Sequence, residues 1–286
     1  MIQFAKRNLK LFFRDKTSVF FSLLSVFIIL GLYIFFLGDQ MIESVEKENV
    51  LAGGRLMDNW IMAGILAVIP VCTTLGSFGI IVNDKAKKID KDFRCAPIKA
   101  RSLVGGHLLG ATCIGTIMSL FALVLIEIYF ACKGYPMLSA LGFLEIFGTM
   151  ILTVLISTSM MYMVVSLFSS HNAFTTVGTI IGTLIGFLTG IYLPIGSTAE
   201  PIQYVIKFFP ISHSASLYRK ILMEDPLKES FKMAPGNAVN DFKLDMGVEF
   251  NAFGHTFTSV ESIAYLLITT LLFCVISLLI VKKKAK

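Results

Sequence analysis

The sequence predicts an all-α polytopic membrane protein, and three observations predict it. Hydrophobic residues make up 55% of the 286 and charged residues 15%, where soluble domains carry about a quarter charged. The apolar residues fall in blocks of about twenty, the length that crosses ~30 Å of hydrocarbon, and mean hydropathy is +0.77. The basic residues collect in alternate connecting segments, which is how a multi-spanning chain records its orientation.

Six spans follow, at 17–37, 60–82, 103–130, 141–168, 174–194 and 263–281. The first has too long an apolar core and too polar a lead for a cleaved signal, and no small-x-small site follows it, so it is expected to be a retained helix. Residues 1–16 carry five basic groups against one acidic, residues 83–101 seven against three, and the tail KKKAK four more. These three segments hold 16 of the 25 basic residues, and six spans put them on one side. The intervening segments 38–58 and 196–258 have acidic residues in excess, five to two and seven to six. Both termini are therefore expected in the cytoplasm, with the protein in the plasma membrane.

Before the first span, Ile2, Ala5, Leu9 and Phe12 recur at helical spacing, with Lys6, Arg7, Lys10 and Arg14 mostly on other faces. That pattern predicts an amphipathic helix in the headgroup layer. After the second span, NDKAKKIDKDFRCAPIKARS is dense in alternating charge and stopped by Pro97. It reads either as a solvated loop obeying the charge rule or as a short helix touching a soluble partner through residues such as Ile89 and Phe93. After the fifth span, Pro201–Phe209 and Ser212–Met223 suit two or three helical turns each, with proline near the starts of the pieces. Neither piece can cross, so they predict a re-entrant hairpin in the outer leaflet, where such backbone needs protein around it. Residues 224–258 form a polar outer elaboration.

Several function classes lack their signatures. There is no GxxxxGK[ST], HExxH or GxSxG. The four histidines have no partner at i+3 or i+4, and no cysteine pair has zinc-ligand spacing. No catalytic, cofactor or metal site is expected in this chain, and no nucleic-acid partner. A secondary transporter would carry ionisable groups near mid-membrane. Glu127 and Glu145 lie toward the outer ends of spans three and four, either as interfacial carboxylates or as contacts in an outer vestibule.

Span five carries Gly178, Gly182, Gly186 and Gly190 at every fourth position. Small residues four apart let helix backbones approach closely in lipid. Two readings remain open: packing within the chain, or a surface on which span five slides or meets a second copy. Pro70 in span two removes one backbone bond and can hinge that helix.

Gly190, Pro194, Pro201, Pro210 and Arg219 form a glycine, G-x-x-x-P, proline, proline, arginine signature. With the N-terminal helix, six spans and charged loop, it resembles the type-2 ABC transporter permeases, the membrane subunits of ATP-binding-cassette exporters. The resemblance covers about 250 of the 286 residues. The chain departs from the family pattern at Lys88, where glycine is usual, and at Asp90, near a usual leucine.

The resemblance implies a single transmembrane domain that pairs with a second permease and docks on a separate ATPase subunit, which would hold ATP and Mg. It implies coupling contacts at Asp84, Lys85, Lys88, Ile89, Phe93, Arg94 and Pro97, and a second contact at Ser169 and His171. It implies a central path or dimer interface lined by Thr73, Thr74, Ser77 and Phe78 of span two and by Thr179, Thr183, Phe187 and the glycines of span five. Pro194, Pro201, Pro210 and Arg219 would shape an outer gate. The expected cargo is a hydrophobic drug, peptide antibiotic or lipid moved outward. The rival readings are an ion-driven transporter or channel, and a membrane sensor or scaffold.

Overall fold

A computed structural model describes residues 1–46, 53–89, 93, 100–168, 170–232, 236–252 and 254–284. Arg94, Pro97 and Ser169, named above for coupling, lie outside the described residues. Six helices are long and apolar enough to cross a membrane among those described, and they follow the six expected spans with shifted ends.

The chain opens with α1 (Ile2–Arg14). Asp15 ends it and at once caps α2 (Lys16–Leu32), accepting from the Thr17 and Ser18 amides and from the Ser18 hydroxyl at 2.6 Å. These donors, the hydroxyl first, hold the Asp15 carboxyl below its ordinary pKa. A π-helical turn, Tyr33–Leu37, joins α2 to the short α3 (Gly38–Glu46). Then come the 34-residue helices α4 (Gly53–Ala86) and α5 (Ala100–Lys133), followed by α6 (Ala140–Leu167) and α7 (His171–Leu188).

Beyond α7 lie α8 (Glu200–Phe208), α9 (Pro210–Leu222), α10 (Glu224–Ser230) and α11 (Gly236–Asp245). A two-residue hairpin, β1 (Asn251–Ala252) against β2 (His255–Thr256), precedes the last span, α12 (Ser259–Lys284).

Helix α4 is the hub. From Leu56 to Val71 every residue is buried, and α2, α5, α6, α7 and α9 all pack on it. Its run is longer than the apolar block at both ends, because Arg55, Asp58 and Asp84 find partners that keep polar residues helical there.

The face that α1 buries differs from the expected row. Ala5, Asn8 and Phe12 are buried, while Ile2 is exposed. The cause is α5: a Cβ on Gly106 would meet Phe4 Cβ at 2.9 Å, and one on Gly110 would meet Asn8 Cβ at 3.1 Å. Two glycines four apart thus admit the α1 side chains against the α5 backbone, which is small-xxx-small packing.

Span five is shorter than the apolar run 174–194. Helix α7 ends at Leu188, and Gly190 takes φ +65°. The Ile191 amide donates to the Gly186 carbonyl at 2.9 Å and the Gly190 amide to Phe187 at 3.1 Å, the Schellman pair. Gly190 is therefore a helix stop and not the fourth member of a helical stripe. The reversal folds the Tyr192 ring onto Gly186, where no Cβ would fit. Gly182 has open space around its α-carbon.

The two glycines should consequently respond differently to one substitution. Gly186→Val overpacks Tyr192, at a cost of about 1–3 kcal/mol, and should lower the unfolding temperature of the detergent-solubilised chain. Gly182→Val should leave it within error. Equal effects on thermal unfolding would contradict the packing at Gly186.

Candidate functional site

The expected site residues fall into three groups along the bundle. At the end where α1 meets α4 and α5, Arg7 and Asp84 form a two-pronged ion pair, both N–O distances 2.9 Å. The Arg7 guanidinium also lies 5.3 Å from the Phe4 ring centre and 5.1 Å from that of Phe93. Beneath it, Asn8 Nδ2 is 3.1 Å from His107 Nδ1. This knot fastens the N-terminal helix, the end of α4, the start of α5 and one aromatic of the charged segment together.

The Asp84 carboxylate is thus occupied inside the chain. Lys85 reaches the Phe168 carbonyl at 3.5 Å, near the turn between α6 and α7. Lys88 adopts a left-handed φ of +62° where the helix breaks, the conformation for which a glycine is suited. Ile89 is half-buried, and His171 is exposed at the start of α7.

In the middle of the bundle, Thr73, Thr74, Ser77 and Phe78 are buried within the chain. Their hydroxyls bond carbonyls of α4 itself, Thr73 to Ile69 at 2.9 Å and Thr74 to Pro70 at 2.7 Å, and Phe78 packs on Tyr162 of α6. By contrast, Thr179, Thr183 and Phe187 stand on the exposed face of α7. The two groups therefore do not share one surface. Thr175, Thr179 and Thr183 make an outward stripe whose hydroxyls donate to carbonyls one turn back, at 2.8–3.1 Å. Gly178 faces inward, where a Cβ would meet Leu75 of α4 at 3.6 Å.

The third group is at the other end. Arg219 of α9 is fully buried and donates to the Gly190 carbonyl at 2.8 Å and to the Thr189 and Gly247 carbonyls at 3.3 Å. Its guanidinium sits 4.8 Å from the ring centre of Trp60, whose indole N–H donates to Met246 at 2.7 Å. A cation here meets the negative end of the α7 dipole and the face of an indole. Pro210 starts α9 and is buried, Pro201 lies in the first turn of α8 and is exposed, and Pro194 precedes a 3₁₀ turn, Ile195–Ser197.

Glu127 and Glu145 are apart. Glu127 is half-buried and accepts the Leu138 amide at 3.3 Å, while Glu145 is exposed. Neither pairs with Arg219, which is committed to carbonyls. The sequence reading missed Asp58, whose buried carboxylate accepts from Tyr33 at 2.9 Å and Tyr135 at 3.0 Å. It also missed Ser212 and Ser216, which donate to the Leu188 and Val248 carbonyls at 2.5 and 2.6 Å. Polar residues within a buried helix were the available signal.

Together these features define a class: an all-α, multi-pass membrane protein. The sequence matches the family model described as "ABC-2 family transporter protein" over residues 42–279. The chain belongs to the ABC-2 transporter family and is a type-2 ABC transporter permease, the membrane component of such a transporter. No curated protein matches it.

The ion pair of Arg7 with Asp84 makes a direct test of the knot at the Asp84 end of α4. In a double-mutant cycle of Arg7→Ala and Asp84→Ala, scored by reversible unfolding in mixed micelles, the coupling should be about 1–2 kcal/mol. That figure allows for partial exposure of a charge-assisted pair. Additive single effects would show that the two groups do not stabilise each other.

Proposed function

We propose that this chain is the membrane subunit of an exporter that moves a hydrophobic or amphipathic compound, such as a drug, peptide antibiotic or lipid, out of the cell. Energy would come from ATP and Mg bound to a separate ATPase subunit, and the single transmembrane domain 1–286 would work with a second permease, identical or related. Both termini would be cytoplasmic, with α1 in the inner headgroup layer and α8–α9 as the re-entrant outer hairpin.

The observation that carries this reading is the Arg7–Asp84–Phe93 knot. It joins the basic, charged segment after α4 to α1 and to the hub helix. A partner pressing on Lys85, Lys88, Ile89, Phe93, Arg94 or Pro97 would push the knot as one body, and Ser169 and His171 would give it a second hold at α7. Asp84 in this scheme positions the segment and does not itself face the ATPase.

The exposed stripe of Thr175, Thr179, Thr183 and Phe187 supports α7 as the lining of the path or the meeting surface of two copies. It has hydroxyls without unsatisfied donors, a combination suited to a sliding or solute-facing helix. The buried Thr73, Thr74, Ser77 and Phe78 would instead carry motion through α4. Arg219 and the three prolines would set the outer gate, with Glu127 and Glu145 near its vestibule.

Co-expression with a candidate ABC ATPase subunit provides the test. The two should co-purify, and inside-out vesicles should accumulate a hydrophobic dye only with ATP. Phe93→Asp should cut accumulation at least about fivefold, or ~1 kcal/mol, while ATP binding by the partner is retained. Accumulation that needs no ATPase and collapses with an ionophore would make the protein an ion-driven transporter instead.

A further inference from the structure

Residues 224–258, the part of the chain without an assigned role, build a half-open cavity of about 500 Å³ together with the end of α9. It lies at the end of the bundle opposite the Arg7 knot, and its wall is tied down by the Arg55–Glu229 ion pair between α4 and α10, at 2.6 Å. Leu227, Phe231 and Val248 are buried and form an apolar floor beside Val239.

Three lysines and two glutamates rim the cavity. Glu224 is taken by Lys228 at 2.6 Å, and Glu249 by Lys243 at 3.2 Å. That leaves Lys220. Its ammonium is half-buried, donates to the Phe257 carbonyl at 3.2 Å, and has no carboxylate within 4 Å among the described residues. Burial pulls its pKa down, outweighing the opposing pull of Glu249 and Glu261, which lie beyond contact distance.

A cavity of this size is in the range that holds small ligands, where an apolar lining supplies contact and a few polar groups fix orientation. A cation with no carboxylate in contact, over an apolar floor, selects an anion with an apolar body. We propose that this cavity binds a small amphipathic anion, its single carboxylate, phosphate or sulfate head on Lys220 and its hydrocarbon part over Phe231 and Val239. Since Lys220 follows Arg219 on α9, the occupant touches the helix that caps α7. The site stands independently of the transport reading.

The test uses the full chain in phosphatidylcholine nanodiscs and radiolabelled decanoate, with empty nanodiscs subtracted. Binding should saturate at one decanoate per chain and be displaced by decyl sulfate, and not by decyltrimethylammonium of the same length. Lys220→Gln should weaken it at least about tenfold, Lys220→Arg should restore it, and Val239→Trp should abolish it by filling the floor, with unfolding temperatures unchanged. The proposal is overturned by no saturable binding, by unchanged affinity in Lys220→Gln or Val239→Trp, or by equal displacement by the cation. Because neither ATP nor an ATPase enters the measurement, a negative result leaves the exporter reading standing, and failure of that reading leaves this one testable.

Discussion

The last carbonyls of α7 have no continuing helix to donate to them, and a helix end buried away from water finds no replacement for the missing donors. The Gly190 turn's own amides take the Phe187 and Gly186 carbonyls, and one other helix takes those that follow. Ser212 of α9 donates to Leu188, and Arg219 donates to Thr189 and Gly190. The same strip serves the segment that follows it, where Ser216 donates to Val248 and Arg219 to Gly247. A polar helix thereby sits buried among α4, α6 and α12, and its cost of burial is offset by the carbonyls it satisfies.

Much of the architecture follows from that arrangement. With its far end secured by α9, α7 needs little lateral packing, and its principal neighbour is α4 alone. The helix keeps a broad exposed face with its threonine stripe. Helix α4, gripped along its length, is the rigid member that links the two ends. At the opposite end the Arg7–Asp84 pair ties α1 and the charged segment to α4. A long helix with a knot at one end, and a lightly packed, capped helix beside it, is the arrangement on which the proposed passage of motion across a membrane rests.

The spans were legible because twenty apolar residues have few alternatives in lipid; their ends were less so. The run through Ile191–Pro194 stayed apolar after the helix had stopped, so hydropathy could not see the turn at Gly190. The glycines of span five drew attention by their spacing, yet those at Gly106 and Gly110 make the closer helix contact, with α1. Asp84 stood out as an acidic residue in a basic loop, and its partner, 77 residues away, left no local trace. Asp58 was likewise hidden, because its donors Tyr33 and Tyr135 come from other segments. Arg219 was legible through a family signature, while its bonds to backbone carbonyls were not, since carbonyls carry no sequence.

The claim on which most depends is that Arg219 holds the C-terminal end of α7. Hydrogen–deuterium exchange of the full chain measures it most directly, comparing the native protein with Arg219→Met. Protection at Gly190, Ile191 and Val248 should fall at least about tenfold, which corresponds to ~1.4 kcal/mol of local stability, with amides around Asp84 unchanged. Unchanged protection at Gly190 and Ile191 in a folded Arg219→Met protein would contradict the claim.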